Sequence, residues 1–357
     1  MIASFFVLVE KLKYSPILDQ SQNLWSKNDF SVAKHIVELV MAILEEKMKI
    51  LVYGAGVIGS VYAAKLQKTT GEVTLLARGS RLVHLKKEGV ILKNGLTNEL
   101  IKIRIPLTQE LLPEDMYDLI IVTVRSEQIG SVIPILKNNR GSSLILFMFN
   151  DPGNLPKLID ELQPKKVLIG FPGIGGTIQN NCVDFILIDQ QKTTIGEVNG
   201  KSRIEIKNLK SLFISAGFPA DINDNMSAWL KTHAVFVCCV AAAIGKENGD
   251  ICRLGNSWES VKTMVKSIRE GFRACSVLNI PVTPFNLKVI FMFTPEWLCI
   301  LYWQRALKGK LGTLGMAPHA NAAKAEMKLL AKNVISMVRS SDQVTPTLDR
   351  LLSYYNQ

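Results

Sequence analysis

The chain has 357 residues, 48% hydrophobic and 20% charged, a length and composition that exclude a peptide or a disulfide-stapled mini-domain and predict a globular fold. Its net charge of +11 arises from Lys and Arg spread along the chain without a basic block, which argues against a nucleic-acid partner and suits an anionic cofactor. The six cysteines form no CxxC pair, so we expect no metal site and a reducing, cytoplasmic location.

Residues 1–47 differ from the rest and are predicted to be an N-terminal extension. They combine an apolar run over 1–9, a polar middle and a possible amphipathic helix over 30–46. Glu10 and Lys11 directly follow the apolar run, which disfavours a signal peptide. The segment is either an appendage or an upstream extension of the reading frame. No apolar run reaches the roughly 18 residues that a membrane span requires, so we expect no membrane association.

From Met48 the pattern alternates strands with helices up to residue 222, and thereafter only helices are predicted. The strands are predicted over 49–53, 73–77, 119–124, 144–149 and 166–170, and the helices between them over 60–68, 128–137 and 154–162. The later helices are predicted over 226–245, 258–277, 318–337 and 347–355. This order predicts an α/β fold: a Rossmann-type doubly wound sheet over 48–222, followed by an all-α domain over 223–357.

The strongest motif is a glycine turn between the first predicted strand and helix. It reads Gly54-Ala55-Gly56-Val57-Ile58-Gly59. The first glycine permits the tight turn, the second lets the backbone approach a pyrophosphate, and the third allows close helix packing. The motif predicts dinucleotide binding, and the alternative is a purely structural turn.

The end of the second strand indicates which dinucleotide binds. A carboxylate there would accept a hydrogen bond from a ribose 2′-hydroxyl, whereas an arginine accommodates a 2′-phosphate. The strand leads into Arg78, Arg81 follows, and the turn holds no acid. NADP(H) is therefore predicted, with solvated loop charges as the alternative reading.

Seven segments carry a recognisable pattern and lie, in order, at 49–59, 75–78, 118–125, 149–150, 195–197, 229–231 and 248–250. On these segments the chain, from Met48 to its end, resembles the ketopantoate reductase (2-dehydropantoate 2-reductase) family. The resemblance implies a soluble enzyme of pantothenate biosynthesis that uses NADPH to reduce a 2-oxo acid, by default ketopantoate to pantoate. The alternatives are a reductase of another 2-oxo acid or carbonyl compound, and a non-catalytic NADP(H)-binding regulatory protein.

The resemblance also implies roles for individual residues. Arg125 would contact the cofactor phosphates, and Asn150 would bridge cofactor and substrate. Lys231 would be the general acid, which stabilises the new alkoxide and delivers its proton. Glu326 would hold the substrate and support Lys231, and Asn248 would be a further substrate contact.

The chain departs from the family pattern at several substrate positions. Two asparagines expected four and eight residues after the lysine are Val235 and Cys239, and a serine expected twelve residues before the glutamate is Leu314. Such changes remove hydrogen-bonding partners, so the cofactor chemistry is predicted to be kept and substrate recognition to be altered.

Two further predictions concern the helical half of the chain. His319 precedes Glu326 by seven residues, which on one helix would place both side chains on nearly the same face. The apolar segment over 291–303 would provide a surface for a homodimer.

Overall fold

The computed structural model describes residues 48–150, 153, 155–188, 191–198, 200 and 204–356, and the predictions for residues 1–47 lie outside them. The chain from Met48 onward forms one compact unit. Its architecture is a mostly parallel sheet followed by helices, and no described residue after Ile222 belongs to a strand. The predicted fold class is confirmed.

A mostly parallel sheet forms the first half. Its eight strands are β1 (Ile50–Tyr53), β2 (Val73–Leu76), β5 (Leu107–Thr108), β6 (Leu119–Val122), β7 (Leu144–Met148), β8 (Lys166–Phe171), β11 (Thr193–Gly196) and β12 (Ala220–Ile222). Their spatial order is β12-β11-β8-β7-β6-β1-β2-β5, and only the β8–β11 pair is antiparallel. Val52 of β1 pairs with Leu75 on one side and Ile121 on the other. The strand order reverses between β1 and β6, where a doubly wound sheet opens a crevice at its carboxyl ends.

Helices cover this sheet and form the second half. They are α1 (Val57–Thr70), α2 (Gly79–Glu88), α3 (Ile129–Asn138), α4 (Leu155–Glu161), α5 (Ile204–Ser215), α6 (Met226–Lys246), α7 (Ile251–Asn256), α8 (Trp258–Val277), α9 (Phe285–Lys288), α10 (Glu296–Lys308), α11 (Ala317–Ala322), α12 (Lys324–Arg339) and α13 (Pro346–Leu352). By length and composition α6 could cross a membrane, but 83% of its most apolar window is buried inside the protein. It is therefore a core helix here.

The sequence did not predict a second, four-stranded sheet. It contains β3 (Val90–Asn94), β4 (Leu100–Ile103), β9 (Ile174–Gln179) and β10 (Cys182–Leu187), in the order β4-β3-β10-β9. Two glycines in β9, Gly175 and Gly176, weaken its strand signal. They are needed because a side chain on Gly175 would press against Gly315 and one on Gly176 against the backbone of β10.

The single helix predicted over 318–337 is wrong, because the chain breaks between α11 and α12. Ala323 leaves the helical region with φ −110° and ψ 38°, and its N–H closes α11 by donating to the carbonyl oxygen of His319. His319 and Glu326 therefore lie on two helices rather than on one face of one helix.

The crossing of β1 and α1 has no room for a side chain at Gly59. An added Cβ there would overlap the carbonyl oxygen of Gly54 and lie 2.5 Å from Thr123 Oγ1. The hydroxyl of Thr123 also donates to the Gly54 carbonyl oxygen at 3.0 Å. These contacts fix the start of α1 against the carboxyl ends of β1 and β6.

We expect Gly59→Ala to lower the free energy of unfolding by at least about 2 kcal/mol, because the backbone atoms that it meets cannot move aside. Gly130→Ala is the control, since an added Cβ near the start of α3 meets nothing within 4 Å. Alanine there should leave stability unchanged or raise it by up to about 1 kcal/mol. Urea unfolding followed by circular dichroism measures both, and equal midpoints for the two variants would contradict this account.

Candidate active site

A cavity of about 500 Å³ opens at the carboxyl ends of β1 and β6, where the strand order reverses. The sheet half contributes the turn into α1, the segment after β6, the end of β7 and strand β9, whereas the helical half contributes α6, the 311–316 segment, α11 and the start of α12. Apolar and aromatic side chains dominate the wall, and a few polar groups converge within it. This arrangement is typical of a site for a small molecule or cofactor.

The glycine turn presents free backbone to the cavity. Gly56 precedes α1 without any side-chain cap on the first helical turn, and an added Cβ there would meet nothing within 4 Å. Gly56, Val57 and Ile58 line the cavity, whereas Gly54, Ala55 and Gly59 do not. Open space beside uncapped N–H groups at a helix start fits a pyrophosphate.

Two arginines flank this turn. The guanidinium of Arg78 donates to Tyr53 Oη at 2.7 Å and to the Gln109 carbonyl oxygen at 3.2 Å. That of Arg81 donates to the Ala55 carbonyl oxygen at 3.2 Å. The two side chains are thus held beside the glycine turn, although neither lines the cavity.

The segment after β6 brings one charged and one orphaned polar group to the cavity. Arg125 lines the wall and forms a loose ion pair with Glu127, with an N–O distance of 4.0 Å. The hydroxyl of Ser126 is buried without a hydrogen-bond partner and also lines the wall. A strand end that presents these donors suits an anionic ligand.

The end of β7 places Asn150 in the cavity wall. Its side chain is only 6% exposed, yet neither the amide nitrogen nor the amide oxygen has a hydrogen-bond partner. Leaving a buried amide unpaired costs free energy, so native structures rarely do it without a reason. A bound ligand that both donates and accepts would satisfy this side chain.

One stripe of α6 faces the cavity. It consists of His233, Phe236, Val237, Val240 and Ala241, at the spacing of one helix face. Lys231 precedes His233 by two residues, about 200° around the helix, and does not line the cavity.

The stripe that contains Lys231 packs on α8 instead. Burial raises the pKa of the Cys275 thiol to about 12, and the nearby Lys231 ammonium works against this rise. An added Cβ at Gly271 would overlap Val235. Burial raises the pKa of Cys239, and Glu270 of α8 adds to the rise. Three residues spaced by four, which the sequence predicted at substrate positions, therefore face α8. Lys231 as the general acid stays a prediction without support from this geometry.

His233 takes the cavity-facing place on α6. Its ring is 4% exposed, stacks on Trp229 with 4.8 Å between centroids, and packs against Phe171 at 4.2 Å. Burial lowers the pKa of His233 to about 3, and the neighbouring His319 adds to this effect. The imidazole is therefore neutral at pH 7.

The other predicted residues divide between the cavity wall and the surrounding structure. His319 of α11 and Glu326 of α12 both line the wall, and Glu326 is buried there. Asn248 lies in the turn after α6 with φ 59° and does not reach the cavity. Leu314 points towards Gly95 and does not line the wall either.

Sequence reasoning missed His233, Ser126 and strand β9 as parts of the wall. A histidine within an otherwise apolar helix was the available signal for His233. No group of three or more potential metal-ligating side chains occurs in the described part of the chain.

Comparison with known proteins identifies the sheet half of the molecule. The model of the family described as ketopantoate reductase PanE/ApbA matches residues 50–200. This part of the chain matches the ketopantoate reductase family. The resemblance noted in the sequence is confirmed over these residues.

The individual relatives that match this chain are distant. A 2-dehydropantoate 2-reductase of Pyrococcus horikoshii is 28% identical over 187 residues, which are 51% of this chain and 58% of that protein. The match thus spans little more than half of that relative's length.

Two solved structures show the same fold over 87% of the chain. D-mandelate dehydrogenase, solved with NADH and anilino(oxo)acetate, has a TM-score of 0.68 at 17% identity over 97% of its own chain. A dimeric ketopantoate reductase from Staphylococcus aureus has a TM-score of 0.60 at 15% identity over 98% of its chain.

We expect Asn150→Ala to fold at least as stably as the wild type, because the lost amide has no partner, and to bind NADPH more weakly. Asn139→Ala is the matched control, since that buried amide donates to the carbonyl oxygens of Leu112 and Asp115 at 2.9 and 2.8 Å. It should lose about 1 to 3 kcal/mol of stability and keep its ligand affinity. Thermal unfolding with and without NADPH separates the two patterns; a large loss of stability in Asn150→Ala alone would contradict the role as a ligand contact.

Proposed function

We propose that this protein is an oxidoreductase that uses NADPH to reduce a 2-oxo acid to the 2-hydroxy acid, by default 2-dehydropantoate to pantoate. One observation carries the proposal: the open glycine turn and the unpartnered amide of Asn150 line the same cavity. A dinucleotide on the turn would extend towards Asn150, and the helical half would enclose its substrate. The family match over residues 50–200 supports this reading.

When bound in this cavity, a nicotinamide cofactor would supply the hydride for the carbonyl carbon, and one proton from solvent would complete the hydroxyl as the carbonyl π electrons move to oxygen. The N–H groups at the start of α1 would hold its pyrophosphate. Asn150 orients the reactants by donating and accepting hydrogen bonds. Apolar side chains of α6, such as Phe236 and Val240, exclude water from the reacting carbon.

The cofactor preference follows from the turn after β2. Arg78 and Arg81 lie beside the glycine turn, and the turn contains no carboxylate that would accept from a 2′-hydroxyl. An arginine there pairs with the 2′-phosphate of NADPH.

A second candidate function is non-catalytic binding of NADP(H), as a regulatory module. The position of Lys231 away from the cavity favours it. The two functions share the cofactor site and differ only in turnover.

We expect the purified protein to oxidise NADPH in the presence of 2-dehydropantoate, with a lower rate for NADH. Arg78→Ala should reduce the NADPH-to-NADH ratio of kcat/KM by about tenfold or more, because a charge-assisted contact to phosphate is lost. Arg140→Ala is the control, since this exposed arginine lies outside the cavity wall. NADPH binding without turnover of any compound in a panel of 2-oxo acids would favour the regulatory module.

The role of Lys231 has its own test. A general acid usually contributes about 100-fold or more to kcat, so a loss of that size in Lys231→Ala would support the resemblance. The face that it shares with Val235 packs on α8, and we therefore expect a change in kcat of less than about tenfold. Lys246→Ala, at the end of the same helix, is the control for changes in kcat that do not come from the chemical step.

We also propose that the protein acts in the cytoplasm as a homodimer. The segment over 291–303, which the sequence favoured, exposes large apolar side chains: Phe293 (67%), Trp297 (58%), Leu301 (46%) and Tyr302 (45%). Exposed apolar side chains of this size within one segment favour association.

A further inference from the structure

Three basic side chains from three separate elements converge on the cavity. Arg125 follows β6, His233 lies on α6 and His319 lies on α11, and all three line the wall. The Arg125 charge lowers the pKa of His319, and His319 in turn lowers the pKa of His233. In both cases burial has the larger effect. The three groups therefore form a row of neighbours, which we call the basic row.

The geometry of His233 suits recognition of a fixed ligand atom. Trp229 stacks on its ring and Phe171 packs against it, so the ring has little freedom to rotate. His319 differs, because it is exposed and lines the cavity. One imidazole is thus held by two aromatic rings, and the other is open to the cavity.

We propose that the imidazoles of His233 and His319, beside the guanidinium of Arg125, bind the carboxylate of the 2-oxo acid. This inference rests on the proposed function and identifies the part of the site that selects an acid. A carboxylate offers two acceptor oxygens, and two imidazole N–H groups together with a guanidinium supply matching donors. Leu314, where the family resemblance leads one to expect a serine, provides no hydrogen bond and points away from the cavity.

The other possible source of an anion is a cofactor phosphate. The glycine turn and the arginines after β2 already supply the donors that phosphates need, and they belong to the sheet half. Two members of the basic row belong to the helical half. We therefore assign the row to the substrate, and a weaker affinity for NADPH in its variants would instead indicate phosphate.

Binding of an anion changes the protonation of the two imidazoles in the row. Burial lowers the pKa of both imidazoles, because it disfavours their charged forms. A carboxylate favours those charged forms, so the ligand binds together with a proton and its affinity rises as the pH falls. Besides the two imidazoles, the charged residues that line the cavity are Arg125 of the row and Glu326, and a pH dependence caused by Glu326 would persist after substitution of His319.

The experiment measures the dissociation constant of oxamate, an isostere of a 2-oxo acid, by calorimetry at several pH values on the protein saturated with NADPH. We expect His319→Gln to raise it about tenfold or more and to flatten its pH dependence, while the NADPH affinity stays unchanged. His233→Gln should act in the same direction. His84→Gln, on α2 outside the cavity wall, is the matched control and should behave as the wild type.

The outcomes separate this inference from the proposed function. Unchanged oxamate affinity in His319→Gln, or no oxamate binding by the wild type, overturns the carboxylate site. Weaker NADPH binding with unchanged oxamate binding also overturns it, and assigns the row to a cofactor phosphate. If the variants change oxamate affinity as expected but the protein turns over no 2-oxo acid, the carboxylate site is supported and the proposed catalytic function is rejected. Because His319 is accessible, its variant tests the proposal even if His233→Gln does not fold.

Discussion

The rotation of α6 about its own axis decides which side chains the cavity presents. That rotation is set by the packing of α6 on α8, where Gly271 lets the helices approach so closely that even a methyl group would overlap Val235. Because of this contact, Lys231, Val235 and Cys239 face α8 rather than the cavity. His233, Val237 and Ala241, also spaced by four residues, then face the cavity. Where the family pattern has a lysine ammonium and two asparagine amides, this helix presents one imidazole and two apolar side chains.

The two halves of the molecule supply different parts of the site. The sheet half provides the glycine turn, Arg125 and Asn150, all at the carboxyl ends of strands where the strand order reverses. These positions follow from parallel topology, which gathers strand ends from distant parts of the chain at one edge. The helical half provides the enclosing wall, and its chemistry depends on helix rotation rather than on topology.

This difference explains which features the sequence could predict. Buried strands such as β1 and β6, and the glycine turn between β1 and α1, have strong local signals. The fold and the part of the site in the sheet half could therefore be predicted from the sequence. The orientation of α6 could not be predicted, because its own residues are apolar on all sides and form no amphipathic stripe that would orient it. The break at Ala323 was also hidden, since neither glycine nor proline marks it, and alanine favours a helix.

The stack of Trp229 on His233 has a spectroscopic consequence. Indole emission is sensitive to a charged ring in van der Waals contact, and the pair lies with only 14° between its planes. Any ligand that draws a proton onto His233 therefore places a cation directly on the face of an indole. The protein in this way carries an intrinsic optical reporter of the charge state of its own cavity.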